Sequence, residues 1–274
     1  FWRVIGTSRR TGADAVGSER VCLDLTALDD LEHLFSGLRP DAVIHTAAAA
    51  DPNVCETHPD RTEPINVDVP AWLAGRCARR HIPFVFTSSD LVFDGEHAPY
   101  PEAAVPSPVN VYGGQKARAE TAVRSACAGA LVCRMPLLFG WSGSPHKGFD
   151  HEMIRAICSR TPLVLFTDEF RTPVDAQSAA AGLLGLLGRA AGILHLGGRQ
   201  RTSRFDMGMR FARHLGVFRP SIRAGRQIEA RMAAARPRDV SLISRQAYRL
   251  GYDPMPMDRA IEATVRRAAS ESAD

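Results

Sequence analysis

Short apolar runs alternate with segments of helix length through the first half of the chain, and this alternation constrains the fold more than any other feature. Residues 4–7, 20–23, 42–46, 84–87 and 130–133 read as strands, and residues 28–38, 67–80 and 109–126 read as helices between them. The runs Ala42-Val43-Ile44 and Phe84-Val85-Phe86 are apolar throughout, not alternating, as strands buried on both faces of a parallel sheet are. The fold class expected is therefore α/β, a doubly wound, Rossmann-like parallel sheet.

Beyond Gly140 the rhythm weakens. A Gly/Ser/Pro segment over residues 141–148 leads to a helix over 149–159, a strand over 163–166, a helix over 176–187 and a strand over 193–196. The stretch from Ser203 onward reads as rich in helix. The division expected is a dinucleotide-binding domain of residues 1–140 plus about 171–196, and a small α+β substrate domain of about 141–170 plus 197–274.

Composition narrows the class. With 45% hydrophobic and 23% charged residues the chain is neither disordered nor collagenous. Its 34 basic and 30 acidic residues are scattered without a long basic run, so no nucleic-acid partner is expected. Six cysteines without a Cys-x-x-Cys pair signal neither zinc nor redox chemistry, and reduced thiols fit the cytoplasm. His146, His151 and Glu152 lack the spacing of a zinc site, and no metal is expected. The most apolar stretch, residues 182–187, is far short of the roughly 20 residues that span a bilayer, and no charged leader precedes an apolar segment.

The beginning of the sequence is unusual for this class. Residues 1–8 already read as a strand, there is no initiator Met, and no Gly-x-Gly-x-x-Gly stands where a dinucleotide site needs one. A strand, glycine turn and helix of roughly 20 to 30 residues are expected to be missing. The missing strand would lie between residues 4–7 and 42–46, leaving two unpaired edges and a catalytically silent chain.

The sharpest local signal is Tyr112 and Lys116, four apart in Ser107-Pro108-Val109-Asn110-Val111-Tyr112-Gly113-Gly114-Gln115-Lys116. Ser107 can cap a helix whose first residue is Pro108, which sets Tyr112 and Lys116 one turn apart on one face. An ammonium beside a phenol favours the phenolate and brings the pKa down toward working pH, as proton transfer requires. Only two lysines occur, Lys116 and Lys147, so a chance match at this spacing is rare. Ser89, at the end of the strand 84–87, can donate to a substrate carbonyl oxygen. The alternative there is that Ser88, Ser89 and Asp90 only cap a loop.

These segments resemble the extended short-chain dehydrogenase/reductases, and most closely the dTDP-4-dehydrorhamnose reductases and related sugar-nucleotide-binding reductases. The similarity is carried by His45-Thr46-Ala47-Ala48, by Cys55-Glu56 through Asn66-Val67, and by Ser88-Ser89-Asp90-Leu91-Val92-Phe93-Asp94-Gly95. It continues through Tyr112 to Lys116, Arg134 to Gly140, Arg171-Thr172-Pro173-Val174, residues 192–196, and Arg236-Pro237 with Ser241-Leu242. The resemblance implies that Tyr112 protonates the carbonyl oxygen as hydride arrives, that Ser89 holds that oxygen, and that Lys116 binds the nicotinamide ribose. It places Ala47 and Ala48 on the adenosine and pyrophosphate side, and Asn66, opening a helix, near the active site; a plain helix cap is the alternative for Asn66. Ser89, Asp90 and Leu91 meet the substrate, Leu91 standing where the family often has an aromatic residue.

Thr7, Ser8, Arg9 and Arg10 end the strand that meets the adenosine ribose in such sheets. Hydroxyls and guanidiniums there suit the 2′-phosphate of NADP better than the 2′-hydroxyl of NAD. Asp24 and Leu25, after the next strand, can receive the adenine edge. The expected function is an NADP-dependent reductase of a keto group on a nucleotide-linked sugar, in the cytoplasm and possible as a homodimer. The alternatives are a non-catalytic regulatory subunit like the β subunit of methionine adenosyltransferase, and an epimerase or dehydratase.

Overall fold

The computed structural model describes residues 2–9, 18–140 and 148–271. The first half runs β1 (Val4–Ser8), β2 (Ser18–Cys22), α1 (Leu28–Leu38), β3 (Val43–His45), α2 (Pro52–Thr57), α3 (Pro59–Glu63), α4 (Val69–Arg79), β4 (Phe84–Ser89), α5 (Val111–Ala126) and β5 (Leu131–Met135). Then come β6 (Leu138–Phe139), α6 (Phe149–Cys158), β7 (Leu163–Phe166), β8 (Phe170–Arg171), β9 (Val174–Asp175), α7 (Ala176–Leu186) and β10 (Gly192–His195). The last elements are β11 (Thr202–Ser203), α8 (Arg204–His214), β12 (Ile222–Gly225), α9 (Arg245–Arg249) and α10 (Met257–Glu271).

The central sheet has the order β10-β5-β4-β3 and is parallel throughout. Successive side chains of a strand point to opposite faces, and both faces here are apolar. Phe84, Phe86 and Val132 pack with Leu31, Phe35, Leu73 and Val123 of α1, α4 and α5. Val85, Leu131 and Cys133 pack with Leu183 and Leu186 of α7, Ala247 of α9 and Tyr252. Helical cover on both faces makes this the doubly wound α/β fold that the continuous apolar strands imply.

A third apolar cluster joins Met153 and Ile157 of α6, Met207 and Phe211 of α8, and Ala260 and Ile261 of α10. It flanks a parallel pair in which β12 lies on β7, Ile222 opposite Leu163. The stretch after Ser203 is therefore not simply helical. A four-residue strand whose partner lies some sixty positions earlier carries no local period long enough to read.

β1 pairs in parallel with β2 and not with β3. Between them lies a groove of about 310 Å³, lined on one side by Ile5 and Thr7 and on the other by Val43, Ile44 and His45. The two facing edges are unpaired among the described residues.

His45 and His195 end β3 and β10 and are 4% and 0% exposed. Burial, with Lys116 near His45 and Arg134 near His195, pushes both down to about 3. The unfolded chain thus takes up protons first as pH falls below about 6.5, so the stability these histidines contribute is full above that pH and is lost progressively toward 3. Asp90, held up at about 6 chiefly by burial, binds its proton earlier in the folded chain and offsets part of this loss below 6. The expected result is a urea midpoint that falls steadily from pH 6.5 to 4, by about 1 kcal/mol of stability per pH unit. A flat midpoint over that range contradicts the neutral burial of these histidines.

Candidate active site

The carboxyl end of β4 and the first turns of α5 meet in a pocket of about 550 Å³. Ser89, the last residue of β4, accepts a hydrogen bond from Leu91 N–H at 3.1 Å and caps the single turn Asp90–Val92. Its hydroxyl also donates to Asp90 Oδ1 at 3.3 Å. The capping that competes with a catalytic reading of Ser89 is thus real, and it leaves the hydroxyl at the pocket wall.

α5 starts later than its sequence suggests. Asn110, not Ser107, is the cap, accepting from Gly113 N–H at 2.8 Å, while Glu56 accepts from Val111 N–H at 3.0 Å. The Ser107 hydroxyl instead donates to Asp94 Oδ2 at 2.7 Å and pins the preceding loop. Gly113 lets α5 approach the turn after β4: a Cβ there would stand 2.1 Å from the Leu91 carbonyl oxygen.

Tyr112 and Lys116 both line the pocket and are 7% and 2% exposed. Lys116 Nζ lies 4.1 Å from the centre of the Phe86 ring. Burial pushes Lys116 down to about 7, opposed by Glu120. Tyr112 is raised, first by burial and then by the Asp90 charge, with the Ser89 hydrogen bond opposing. The expectation that the ammonium lowers the phenol is corrected here: burial disfavours the phenolate and raises the phenol instead. Tyr112 holds its proton and is an acid.

Behind these groups Arg134, on β5, pairs with Glu120 of α5 through two bonds of 2.9 and 2.8 Å, and Ser88 donates to Glu120 Oε1 at 2.6 Å. The pair locks α5 to β4 and β5. Beside Asp90 a second charged group lines the pocket: Arg171 lies 3.4 Å from Asp90 and 3.3 Å from Glu169, and Arg204 3.0 Å from Glu169. Met135, Pro136, Leu137, Ala176 and Ala179 give the same pocket an apolar part of its lining. Arg171 and Arg236 were visible only as parts of resembling segments; Glu169 and Arg204 carry no motif and come to the pocket through β8 and α8.

The remaining candidates are placed as follows. Asp90 and Leu91 line the pocket; so does Ala48, with Thr46 and Ala50, whereas Ala47 does not. Asn66 neither opens nor caps a helix. It lies within the wide turn Pro64–Asp68, 1% exposed, bonding both backbone groups of Ala49 and donating to Gln115 Oε1 at 2.7 Å. It braces the loop after β3 against α5. Thr7 and Ser8 end β1, away from the pocket, and Arg9 follows as an exposed residue whose charge reaches Asp24. Asp24 is engaged by Thr26 N–H and hydroxyl at 3.0 and 2.7 Å, and Leu25 packs on the core. Arg10, His146 and Lys147 lie outside the described residues. Among the described residues no group of three or more His, Cys, Asp or Glu could hold a metal, and no helix is long and apolar enough to cross a membrane.

Against known proteins, the sequence pattern of the RmlD substrate binding domain matches residues 2–270. The chain belongs to this RmlD family. Among its relatives, the "Probable low-salt glycan biosynthesis reductase Agl14" of Haloferax volcanii is 31% identical over 249 residues, 86% of this chain and 83% of that protein. The methionine adenosyltransferase 2 subunit beta of Bos taurus is 39% identical over 110 residues, 40% of this chain but only 33% of that protein. A hypothetical dTDP-4-dehydrorhamnose reductase from Sulfolobus tokodaii superposes with a TM-score of 0.79 at 26% identity, covering 92% of this chain and 89% of the other. The dTDP-4-dehydrorhamnose reductase of Bacillus anthracis, solved with NADP, gives 0.86 at 21% identity over 97% and 99%. At that identity the likeness speaks for the shared RmlD-family fold.

Proposed function

We infer that this RmlD-family protein is an NADP-dependent reductase of a keto group on a nucleotide-linked sugar. The observation that carries the reading is the meeting of Ser89, Tyr112 and Lys116 in the lining of one pocket at the carboxyl end of β4. The relatives bearing reductase names support it.

The residues present suit a nicotinamide cofactor. Met135, Pro136, Ala176 and Ala179 supply apolar lining for the ring, and Lys116 stands at the pocket with a proton to share. When bound, that cofactor supplies hydride to the carbonyl carbon. Tyr112 gives its hydroxyl proton to the carbonyl oxygen, and Ser89 holds that oxygen while its negative charge develops. Lys116 charges the floor of the pocket and stabilises the phenolate left behind. Arg9 and Arg10 favour the 2′-phosphate of NADP, and Thr7, Ser8, Asp24, Leu25, Ala47 and Ala48 belong to the adenosine side. In this reading residues 1–140 and 171–196 carry the dinucleotide, residues 141–170 and 197–274 the substrate, and the working form is a cytoplasmic homodimer.

The test is oxidation of NADPH by the full-length protein against a panel of nucleotide-linked keto sugars, followed at the absorbance of the reduced ring, with NADH in parallel. Turnover with at least one sugar is expected, NADPH is preferred, and Arg9→Ala with Arg10→Ala weakens NADPH far more than NADH. The similarity to the methionine adenosyltransferase subunit favours a second reading, a non-catalytic dinucleotide-binding subunit. Saturable NADPH binding without turnover of any sugar decides for it.

A further inference from the structure

Phe86 and Ser88 are two apart on β4 and so share one face of the sheet, the face that α5 covers. Lys116 and Glu120 are four apart on α5 and share one face of that helix. Two contacts join these pairs. Ser88 donates to Glu120 Oε1 at 2.6 Å, and the Lys116 ammonium stands over the Phe86 ring, Nζ 4.1 Å from its centre. The ring is fully buried, and its backbone is held in register between His45 of β3 and Val132 of β5.

The carboxylate one turn away is committed elsewhere. Both Glu120 oxygens accept from Arg134, at 2.9 and 2.8 Å, and among the described residues Lys116 forms no ion pair. The other charged or titratable groups near it are Tyr112 on α5, His45 at the end of β3, Cys55 of α2 and, after β4, Asp90. Asp90 faces Arg171 at 3.4 Å, and Glu169, farther along the pocket lining, faces Arg204 at 3.0 Å. His45 stacks on the same Phe86 ring, 6.1 Å between centres and 15° between planes, and burial keeps it neutral down to about 3, so it brings no second cation. What touches the buried ammonium is therefore an aromatic face, whose quadrupole is negative and whose attraction for a cation grows as water is excluded.

We propose that Phe86 is a positioning residue for Lys116: its ring face holds the ammonium at the pocket and keeps it charged near neutral pH. The consequence for turnover rests on the function proposed above, in which the Lys116 charge stabilises the phenolate that Tyr112 becomes; the contact itself does not. Burial pushes Lys116 down to about 7, opposed by Glu120. The ring acts on the charged form, since a neutral amine gains little from a quadrupole, so without the ring Lys116 gives up its proton at lower pH. A ring face also takes the charge without engaging every N–H, which leaves donors for the pocket.

Fluorination separates this role from packing. In the full-length protein Phe86 is replaced by mono-, di- and trifluorinated phenylalanine, which draw charge from the ring face stepwise at nearly constant shape, and Phe86→Leu removes the face outright. Lysine labelled with ¹³C at the ε carbon reports the titration by NMR, and Lys116→Arg identifies the Lys116 signal. The native signal is expected to titrate near 7 and to move down with each added fluorine, by about one pH unit for the trifluorinated ring and for Phe86→Leu. With a turned-over sugar, such a change lowers kcat by about tenfold at pH 8 but only about twofold at pH 6, where most of the native ammonium survives. A Lys116 signal that stays within about 0.2 pH unit of the native one through the fluorinated series overturns the proposal. So does a loss of kcat that is equal at pH 6 and pH 8, the mark of a purely structural role. If no sugar is reduced but the Lys116 signal moves with fluorination, the reductase reading fails and the contact stands.

Discussion

Replacing Tyr112 by phenylalanine in the full-length protein lowers turnover by at least about 100-fold, the usual loss when an acid catalyst is removed, and leaves NADPH affinity nearly unchanged. The substitution takes away one oxygen from a side chain that is 7% exposed and barely alters the packing around it. Burial and the Asp90 charge keep the phenol protonated, so in the native chain the proton to be transferred is in place before substrate arrives. The comparison is best made at pH 6, below the value of about 7 to which burial has pushed Lys116, so that the neighbouring ammonium is present in both proteins. Ser89 remains in the variant to hold the carbonyl oxygen, which is why some residual rate is expected. A variant keeping more than a tenth of the native turnover removes Tyr112 from the acid role.

What was readable in the sequence follows from range. The strands Phe84–Ser89 and Leu131–Met135 and the helices Leu28–Leu38 and Val111–Ala126 declare themselves by apolar runs and helical spacing, both local. Tyr112 and Lys116 share one helix, so their juxtaposition follows from the 3.6-residue period alone, and Ser89 follows because ligands gather at the carboxyl ends of such strands. The start of that helix was misplaced because Ser107 and Pro108 make a plausible cap, and only the fold shows that Asp94 claims the Ser107 hydroxyl and leaves the cap to Asn110. Asn66 looked like a cofactor or capping residue, and its partners, Ala49 and Gln115, lie 17 and 49 positions away. Glu169, Arg204 and Arg236 reach the pocket from three separate segments, a convergence that no window of the sequence contains. The pKa of Tyr112 went the other way for a related reason: the ammonium is visible from spacing, whereas the depth of burial that raises the phenol is a property of the packed whole.

Replacing Glu120 by methionine is expected to destabilise the fold by about 3–5 kcal/mol, the cost of leaving a buried partner charge unmatched. Glu120 and Arg134 have side chains 4% and 1% exposed and meet through two hydrogen bonds, so water cannot replace a lost carboxylate. Against a total of about 5–15 kcal/mol for a domain of ordinary stability, such a loss brings the protein close to unfolding at room temperature. Ser88 also loses its acceptor, and Arg134, which lies 4.9 Å from the centre of the Phe93 ring, keeps only the carbonyls of Glu102 and Ala104 and the ring of His195 within reach. If the penalty is the stranded guanidinium and not lost packing, removing it as well recovers stability: the double change Glu120→Met with Arg134→Met should regain at least half of the loss, because apolar side chains of similar length tolerate the same site. The measurement is a urea midpoint for both single variants and the double variant. A double variant no more stable than Glu120→Met alone shows that the pair acts through shape, and that α5 is held to β4 and β5 by contacts other than this ion pair.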